Sequence, residues 1–305
     1  MKLVTYRTEG RGDRIGAVVH DRVVDLSALL PADDDRPGSS GDFPGGCAGP
    51  MVRFLAAGAS ALEAAAAHLR GLEEAWRAQD HPALAAVTLR APLPRPGKIV
   101  AIGRNYADHA KESGIKPFEQ PRIIAKLPSA VTGPGAVVVR PPGVAKLDYE
   151  VELAVVIGRR TKGIAREHAL DAVAGYTILN DVSAREFQFD VSPAQTTFAK
   201  SMDGFCPMGP WIVTADEIPD PQDVALRLWV NGELLQDGHT HDMIFGVDRL
   251  IEYISTYLTL EPGDVIATGT PAGVGAFRTP PRWLQPGDRV RLEVSSIGAL
   301  EHSIG

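Results

Sequence analysis

Beyond residue 98 the chain is a succession of short strand-like segments that glycine and proline separate. IIAKL, AVVVR, YEVELAVVIG, GYTILND and DRVRLEV are examples, and each is too short for an ordinary helix. Longer helical patterns in this part occur only at about residues 166–173 and 246–258. Because most strand-like segments follow one another with no helix between them, an alternating βαβ nucleotide fold is excluded. The pattern predicts a β-dominated α+β protein whose sheets form a sandwich, barrel or roll.

A proline-rich segment, APLPRPG at residues 91–97, separates this part from the preceding residues. Prolines at alternate positions favour a stiff, extended connector. Before it, residues 1–30 predict three short strands, residues 31–50 a glycine- and proline-rich loop, and residues 51–79 a helix or a helix pair. We therefore predict a small N-terminal domain at 1–90, a linker at 91–97 and a larger, β-dominated domain at 98–305.

Composition excludes several classes of function. The net charge of −7 argues against nucleic acid or an anionic membrane as the main partner. Cys47 and Cys206 are the only cysteines, too few for a disulfide framework or a cysteine zinc site. No apolar run reaches the length of a membrane span, and MKLVTYRTEG lacks the apolar core of a signal peptide. These observations predict a cytoplasmic protein.

One strand carries three acidic residues on one face. In LDYEVELAVVIG, Asp148, Glu150 and Glu152 alternate with apolar residues, and the strand continues into the fully apolar AVVI. Like charges at the end of a buried strand repel each other, and desolvating each carboxylate costs several kcal/mol. Either this face is solvated and paired with lysine or arginine, or a divalent cation neutralises it.

A further carboxylate, Asp181, ends the apolar segment GYTILND. Alone it would be read as a cap or turn residue. Together with Glu150 and Glu152 it forms a set of oxygen ligands without cysteine or closely paired histidine nearby. Such a set favours Mg²⁺ or Mn²⁺, with Ca²⁺ as another hard cation, over Zn²⁺.

A histidine and a glutamate lie three residues apart in NYADHAKESG. On a helical turn His109 and Glu112 are neighbours, and a carboxylate beside an imidazole raises its basicity. The alternative is an ordinary surface pair. Gly114 and Pro117 flank the segment, which suits a hinged lid.

Two more segments offer polar groups. Lys200 in TTFAKS either extends to solvent or, beside a metal site, stabilises an oxyanion. The glycine-rich turn TGTPAGVG at 268–275 lacks the Gly-Lys-Ser/Thr of a phosphate-binding loop and opens no helix. Its backbone N–H groups are expected to face an anionic ligand.

Taken together, these segments resemble the fumarylacetoacetate hydrolase family, and its bacterial two-domain branch in particular. The ordered set covers nearly all of residues 98–305 and consists of GRNYADHAKE, DYEVELAVVIG, GYTILNDVSAREFQ, TTFAKSMDGFCPMGP, VNGELLQDG and EPGDVIATGTPAGVG. The resemblance implies a mixed β-sandwich roll, a homodimer, and Mg²⁺ or Mn²⁺ bound by a Glu-x-Glu and a following Asp.

Carried over residue by residue, the resemblance implies three groups of site residues. Glu150, Glu152 and Asp181 match the metal ligands, and His109, Glu112 and Lys200 match the catalytic residues. The matching substrate-binding positions are Arg104, Lys126, Arg185, Gln188 and Thr270. The chain departs from the family pattern at Gly204, His239, His241 and His302.

The activity implied is hydrolysis of a C–C bond in a 2,4-dioxo acid, an acylpyruvate or fumarylpyruvate-like compound, with the enolate of pyruvate held at the metal. Oxaloacetate decarboxylation is one alternative, and isomerisation or decarboxylation of unsaturated 2-hydroxy dioic acids is another. A metal-stabilised binding protein without catalysis is a different class. It would have no need of the His109–Glu112 pair.

Overall fold

The computed structural model of the chain describes residues 1–30, 49–73, 76–114 and 116–305. Most of the predicted loop at 31–50, with Cys47, lies outside the described residues. No helix within the described ranges is both long and apolar enough to cross a membrane.

Strands dominate the described residues, as the sequence predicts. In the first half of the chain they are β1 (Lys2–Arg7), β2 (Arg14–Val19), β3 (Arg22–Asp25), β4 (Thr88–Leu89), β5 (Ile99–Gly103), β6 (Arg122–Lys126), β7 (Val131–Thr132), β8 (Val137–Val138) and β9 (Leu147–Asp148). In the second half they are β10 (Val151–Ile157), β11 (Val173–Asn180), β12 (Ser183–Ala184), β13 (Cys206–Thr214), β14 (Ala225–Val230), β15 (Glu233–His239), β16 (Val265–Ala267), β17 (Arg289–Val294) and β18 (Gly298–Ile304).

The helices are few and mostly short. The α-helices are α1 (Pro50–Ala56), α2 (Ala59–Glu73), α3 (Ala107–Glu112), α4 (Arg185–Phe189), α5 (Thr196–Ala199) and α6 (Val247–Tyr257). The 3₁₀ helices cover Ser27–Leu29, Ala78–Asp80, Leu84–Ala86, Pro128–Ala130, Arg166–Ala172, Ala215–Glu217, Thr240–Asp242 and Gly275–Phe277. The predicted helix at 166–173 is thus a 3₁₀ segment, and the predicted strand AVVVR shortens to β8.

A large mixed sheet carries the structure. Its hydrogen-bonded order is β3-β2-β1-β13-β11-β10-β16-β5-β6, with β4 added beside β1 and β7 beside β13. Strand β10, VELAVVI, lies near its centre and every residue in it is buried. Such a continuous apolar run is what a strand covered on both faces requires.

A second sheet, ordered β15-β14-β17-β18-β8, provides the other layer, and β9 pairs with β12 in a short ribbon. Alternation along β14 and β17 buries every second residue, which is typical of a sheet with one face against a core. One continuous apolar cluster includes Leu153 of the large sheet and Leu228 and Leu292 of the second. The architecture is therefore β-dominated and mixed, with few helices.

The large sheet continues across the predicted domain boundary. Strand β1 pairs with β13, where Lys2 lies opposite Val213 and Leu3 opposite Ile212. Leu93 of the proline-rich segment is fully buried in the common apolar cluster. The division at 91–97 stays a prediction, and the N-terminal strands share their hydrogen bonds and part of their core with the rest of the chain.

Candidate metal and catalytic site

The ends of β10 and β11 bring the predicted metal ligands together. Val151 lies opposite Asn180, so Glu150 and Asp181 flank the last paired residues of the two strands. The Asp181 amide donates to the Glu150 carbonyl at 3.0 Å, and the Glu150 amide donates to the Asn180 side-chain oxygen at 3.0 Å. As a result Glu150, Glu152 and Asp181 each offer an oxygen within 4.8 Å of the others.

All three carboxylates are buried, so the alternative of a solvated acidic face is not what the structure shows. Glu150 is 5% exposed and Glu152 and Asp181 are 1% exposed. Cations nevertheless lie close to these carboxylates, as the alternative of pairing with lysine or arginine predicts. Lys200 Nζ donates to Glu150 Oε2 and to Asp181 Oδ2, both at 2.7 Å.

Arg185 and Lys126 complete the charge balance on the other side. Arg185 donates to Glu150 Oε1 at 2.7 Å, and Lys126 Nζ donates to Asp181 Oδ1 at 2.7 Å. Burial alone would raise the pKa of Glu150, but the ammonium of Lys200 and the guanidinium of Arg185 outweigh it and hold that pKa below its ordinary value.

Glu152 differs from its two neighbours because no described cation donates to it. Its carboxylate accepts a hydrogen bond from the Gly269 amide, which lies 2.9 Å from Oε2. Burial first, and then repulsion by Asp181 and Glu150, raise the pKa of Glu152 well above its ordinary value. A buried carboxylate that faces two others is destabilised by repulsion, and a hard dication bound among them would neutralise this negative charge. The donor set therefore fits Mg²⁺ or Mn²⁺.

The triad opens into a small cavity of about 30 Å³. That volume is enough for an ion or a water molecule beside the carboxylates. The lining residues outside the triad are Ala101, Ile102, Gly103, Arg104, His109, Arg122, Ile124, Arg185, Gln188, Phe189, Lys200, Thr270 and Phe277.

Asp148, the first acid of the strand pattern, belongs to a separate cluster. Its Oδ2 accepts from Arg185 Nε at 2.8 Å, and its Oδ1 accepts from the Gly275 amide at 2.7 Å. Asp148 therefore orients Arg185, which in turn contacts Glu150.

The histidine and glutamate of α3 form the predicted pair. His109 Nδ1 lies 2.7 Å from Glu112 Oε1, and His109 is 5% exposed at the wall of the cavity. If Nδ1 carries the proton that it shares with Glu112, Nε2 is left as a base. The Phe277 ring lies 5.9 Å from the imidazole, centroid to centroid, and borders it on the apolar side.

The glycine-rich turn donates to the protein's own carboxylates instead of an outside anion. Besides Gly269, the Ala272 amide donates to Asp108 at 3.1 Å and the Gly273 amide donates to Glu112 Oε2 at 2.9 Å. Gly273 has φ +104°, and a Cβ there would lie 2.2 Å from the Leu235 carbonyl oxygen. Only glycine fits this position, and its amide helps to fix the orientation of Glu112.

Four of the five predicted substrate-binding residues line the cavity, namely Arg104, Arg185, Gln188 and Thr270. The Thr270 hydroxyl already donates to the Val151 carbonyl at 2.8 Å and accepts from Gln236 at 2.8 Å. It has therefore no donor left for a ligand in this geometry.

Lys126, the fifth of these residues, does not line the cavity. Its ammonium donates to Asp181, to the Phe205 carbonyl at 3.0 Å and, in a shorter contact, to the Lys200 carbonyl. Because all three donors are used, the geometry favours a role in positioning Asp181 over the predicted contact with substrate.

Sequence analysis missed Arg122 and the two aromatic residues of the wall, Phe189 and Phe277. The sequence contains a signal that could have identified Arg122. It precedes Lys126 by four residues in β6, and residues i, i+2 and i+4 share one face of a strand. The phenylalanines had no comparable signal, since they come from separate segments.

Two of the sequence departures lie outside the cavity and one lies behind the triad. The rings of His239 and His241 are tilted by 31° with their centroids 4.0 Å apart, and neither residue lines the cavity. His302 is buried, and its Nε2 lies 2.8 Å from the Asn180 side-chain nitrogen.

Comparison with known proteins adds the following similarities. Residues 98–305 match the family model described as fumarylacetoacetate (FAA) hydrolase C-terminal. The chain is 38% identical over 307 residues to oxaloacetate tautomerase fahd2, mitochondrial, of Xenopus laevis, a match covering 100% of this chain and 90% of that protein.

Solved structures cover the chain over its whole length. A fumarylacetoacetate hydrolase of psychrophilic Exiguobacterium antarcticum superposes with a TM-score of 0.79 at 36% identity, covering 100% of this chain and 99% of that one. The maleylpyruvate hydrolase of Sphingobium sp. SYK-6, in complex with manganese (II) ion and pyruvate, superposes with a TM-score of 0.77 at 31% identity, covering 100% and 98%.

Proposed function

Because the chain belongs to the fumarylacetoacetate hydrolase family, we propose that it is a divalent-metal-dependent hydrolase that cleaves a C–C bond in a 2,4-dioxo acid. The observation that carries this proposal is the buried triad Glu150, Glu152 and Asp181 at the same cavity as the His109–Glu112 pair. A carboxylate cluster suited to a hard cation and a histidine suited to activate water are the two requirements of the reaction.

Glu150, Glu152 and Asp181 would hold Mg²⁺ or Mn²⁺, and the Mn²⁺ and pyruvate bound by the maleylpyruvate hydrolase support this assignment. When bound, the ion supplies Lewis acidity, which favours binding of a 2-oxo acid. It also stabilises the negative charge that develops on the keto oxygen of that acid.

His109 acts as the general base. With Nδ1 oriented by Glu112, its Nε2 takes a proton from the water whose oxygen attacks the C4 carbonyl of the substrate. The C3–C4 bond then breaks and leaves its electron pair on C3. The proton that His109 took from water is transferred to C3 and yields pyruvate, while the acyl part leaves as a carboxylic acid. Water is thus the only co-reactant.

Gln188 and Lys200 are the groups that stabilise the oxyanion at C4. Gln188 uses its oxygen to accept from Arg185 at 2.8 Å, and its amide nitrogen has no acceptor among the described residues. Lys200 lines the same cavity, but its ammonium already donates to Glu150, Asp181 and the Ser183 hydroxyl, so it contributes positive charge and no free hydrogen-bond donor.

A second candidate is an enzyme that acts on oxaloacetate, as a tautomerase or a decarboxylase. It is favoured by the full-length similarity to the oxaloacetate tautomerase of Xenopus laevis. Tautomerisation and decarboxylation of oxaloacetate both need the same ion and the same 2-oxo acid site, but neither needs water as a nucleophile. The alternative isomerase of unsaturated 2-hydroxy dioic acids shares these requirements.

The deciding experiment is a substrate panel with Mg²⁺, Mn²⁺ and a chelator control. We expect metal-dependent loss of the ultraviolet absorbance of an acylpyruvate, with a higher kcat/KM than for oxaloacetate. Turnover of oxaloacetate alone would favour the second candidate, and no metal-dependent turnover of either would reject both.

Glu150→Gln is expected to remove Mn²⁺ binding measured by calorimetry and to lower turnover by at least about 1,000-fold, since it removes one ligand charge. Glu233→Gln, on an exposed part of β15, is the matched control and should leave both unchanged. Full activity of a folded Glu150→Gln protein would contradict the metal site.

A further inference from the structure

Gln236, a buried amide of the second sheet, contacts the strand that carries two of the candidate metal ligands. It belongs to β15 and is 1% exposed. Its side-chain oxygen accepts from the Val151 amide at 3.0 Å, and its side-chain nitrogen donates to the Thr270 hydroxyl at 2.8 Å and to the Pro271 carbonyl at 2.9 Å. These partners fix its orientation, since a backbone N–H only donates and a carbonyl only accepts. The proposed mechanism gives this side chain no role.

Val151 lies at a point of β10 where pairing with β16 has ended. The last pair of that ladder joins Ala154 to Ala267. The N–H and C=O of one strand residue point to the same edge. At Val151 the N–H donates to Gln236, and the C=O accepts from the Thr270 hydroxyl at 2.8 Å. Because Thr270 also accepts from Gln236, the two side chains together supply the hydrogen bonds that a neighbouring strand would otherwise provide.

The position of Val151 in the chain gives this network its consequence. Glu150 precedes Val151 and Glu152 follows it, so the backbone of Val151 sets how far apart the two carboxylates lie. Val151 is fully buried, and a buried N–H or C=O without a partner is costly. Without Gln236 the strand would have to move to satisfy these groups. Metal ligands tolerate displacements of only about 0.5 Å.

A β-bulge brings Gln236 to this position. Gln236 lies opposite Leu228 of β14. The next pair joins Trp229 to Leu234, so Leu235 has no partner of its own. The extra residue breaks the alternation of β15, and Leu235 and Gln236 are both buried. Bulges beside functional sites re-aim side chains in this way.

The glycine-rich turn lies directly against the same part of β15. A Cβ at Gly238 would lie 2.3 Å from Pro271 Cβ, and a Cβ at Gly273 would lie 2.2 Å from the Leu235 carbonyl oxygen. Both glycines therefore allow close approach, one beyond Gln236 and one before it in β15. This approach keeps the turn within hydrogen-bonding distance of the Gln236 side chain.

We propose that Gln236 and Thr270 are positioning residues for Glu150 and Glu152, so that the second sheet sets the geometry of the metal site on the first. The inference deepens the proposed function and rests on it for the nature of the bound ion. It also assigns the Thr270 hydroxyl to the backbone of β10, in place of the substrate contact that the family resemblance implies.

Calorimetry with Mn²⁺ and no substrate tests this proposal. Gln236→Met keeps the length of the side chain but removes its amide, and it should weaken Mn²⁺ binding by about 10- to 100-fold, as removal of groups that orient metal ligands does. Thr270→Val should weaken binding by about 10-fold, and Thr270→Ser should recover most of that loss by returning the hydroxyl. The double variant Gln236→Met, Thr270→Val should bind about as weakly as Gln236→Met alone, because both side chains act in one network.

Gln222→Met is the matched control. The Gln222 side chain accepts from the Val247 amide at 2.9 Å and donates to the Thr240 carbonyl at 2.8 Å, and both partners lie outside β10 and the cavity. This variant should lower the midpoint of urea unfolding about as much as Gln236→Met does, but leave Mn²⁺ affinity unchanged. Wild-type Mn²⁺ affinity in folded Gln236→Met would overturn the proposal. So would a Thr270→Val protein that binds Mn²⁺ normally and loses only affinity for the substrate.

Hydrogen exchange of the metal-free protein distinguishes this proposal from the proposed function. The Val151 amide should exchange at least about 10-fold faster in Gln236→Met than in wild type, since it loses its hydrogen-bond acceptor, and at the wild-type rate in Gln222→Met. Absence of Mn²⁺ binding in the wild type would reject the proposed function. Faster exchange in Gln236→Met would then still support the positioning of β10 by Gln236, and unchanged exchange would overturn it.

Discussion

Glu152 is the residue whose surroundings most clearly fit a bound cation. Glu150 and Asp181 each have two cationic partners, but Glu152 accepts from a backbone amide only, at 1% exposure. Burying an uncompensated carboxylate costs several kcal/mol, and the usual compensation is a metal or a proton. Its raised pKa shows that, without a cation, protonation would be the response.

His109→Asn separates hydrolysis from decarboxylation, also at the residue scale. Removing the base should lower kcat for an acylpyruvate by about 100- to 10,000-fold. Metal-dependent decarboxylation of oxaloacetate should fall by less than about 10-fold, because that reaction needs no activated water. Both rates are measured on one preparation by absorbance, and His168→Asn, an exposed histidine, is the control. Equal losses for the two substrates would contradict the role of His109 as the water-activating base.

At the scale of elements, helix α3 and the glycine-rich turn form one unit. Two amides of the turn donate to side chains of α3, and a third donates to the triad at Glu152. The His–Glu pair and the candidate metal site are therefore oriented by the same eight residues, 268–275. In the described conformation α3 is fastened to this turn, so the predicted hinged lid stays a prediction.

Gly273→Ala should disrupt the contact between helix α3 and the glycine-rich turn. The added Cβ would meet the Leu235 carbonyl oxygen at 2.2 Å, and the backbone would be strained at φ +104°. We expect a loss of about 2 to 5 kcal/mol in the free energy of unfolding by urea, and lower kcat because Glu112 loses its amide donor.

Gly287→Ala is the matched control for that substitution. Its φ of +93° imposes similar backbone strain, but no atom lies within 4 Å of the added Cβ. It should cost about 1 to 2 kcal/mol and leave kcat unchanged. Equal stability and equal activity of the two variants would contradict a role of the contact between the turn and α3 in stability and catalysis.

On the scale of the whole molecule, the two sheets meet behind the triad through Asn180 and His302. Asn180, at the end of β11, accepts from the Glu150 amide and lies within hydrogen-bonding distance of His302 Nε2 on β18. Since the Asn180 side-chain nitrogen donates, Nε2 is the acceptor and the imidazole is neutral. Burial lowers the pKa of His302 to about 4 from an ordinary value of 6.5.

That lowered pKa predicts acid sensitivity of the fold. The folded state binds fewer protons at His302 than the unfolded state does. The contribution of the neutral imidazole to the free energy of unfolding is therefore fully present above pH 6.5 and is lost as pH falls from 6.5 toward 4. The contribution is on the order of 3 kcal/mol at the lower end. Urea unfolding of His302→Asn across this range should show a shallower loss than wild type, with exposed His168→Asn as the control. Identical slopes in wild type and His302→Asn would show that His302 does not titrate in this range.

The match to the family and to its solved structures confirms two predictions from the sequence, the β-dominated fold class and the family. Both depend on local patterns. Alternation along a strand places Glu150 and Glu152 on one face, and a spacing of three places His109 beside Glu112. These directions follow from backbone geometry within one element, so the sequence alone determines them.

Tertiary structure decided which groups meet from distant parts of the chain. The register of β10 with β11 brings Asp181 to Glu150, and packing places Lys126 in contact with Asp181, while Arg122 on the same face of β6 lines the cavity. The same holds for the amides of the glycine-rich turn, which the sequence assigned to a ligand and the fold directs to Glu112 and Glu152. Periodicity sets where a side chain points on its own strand, but its partner depends on packing between elements far apart in sequence.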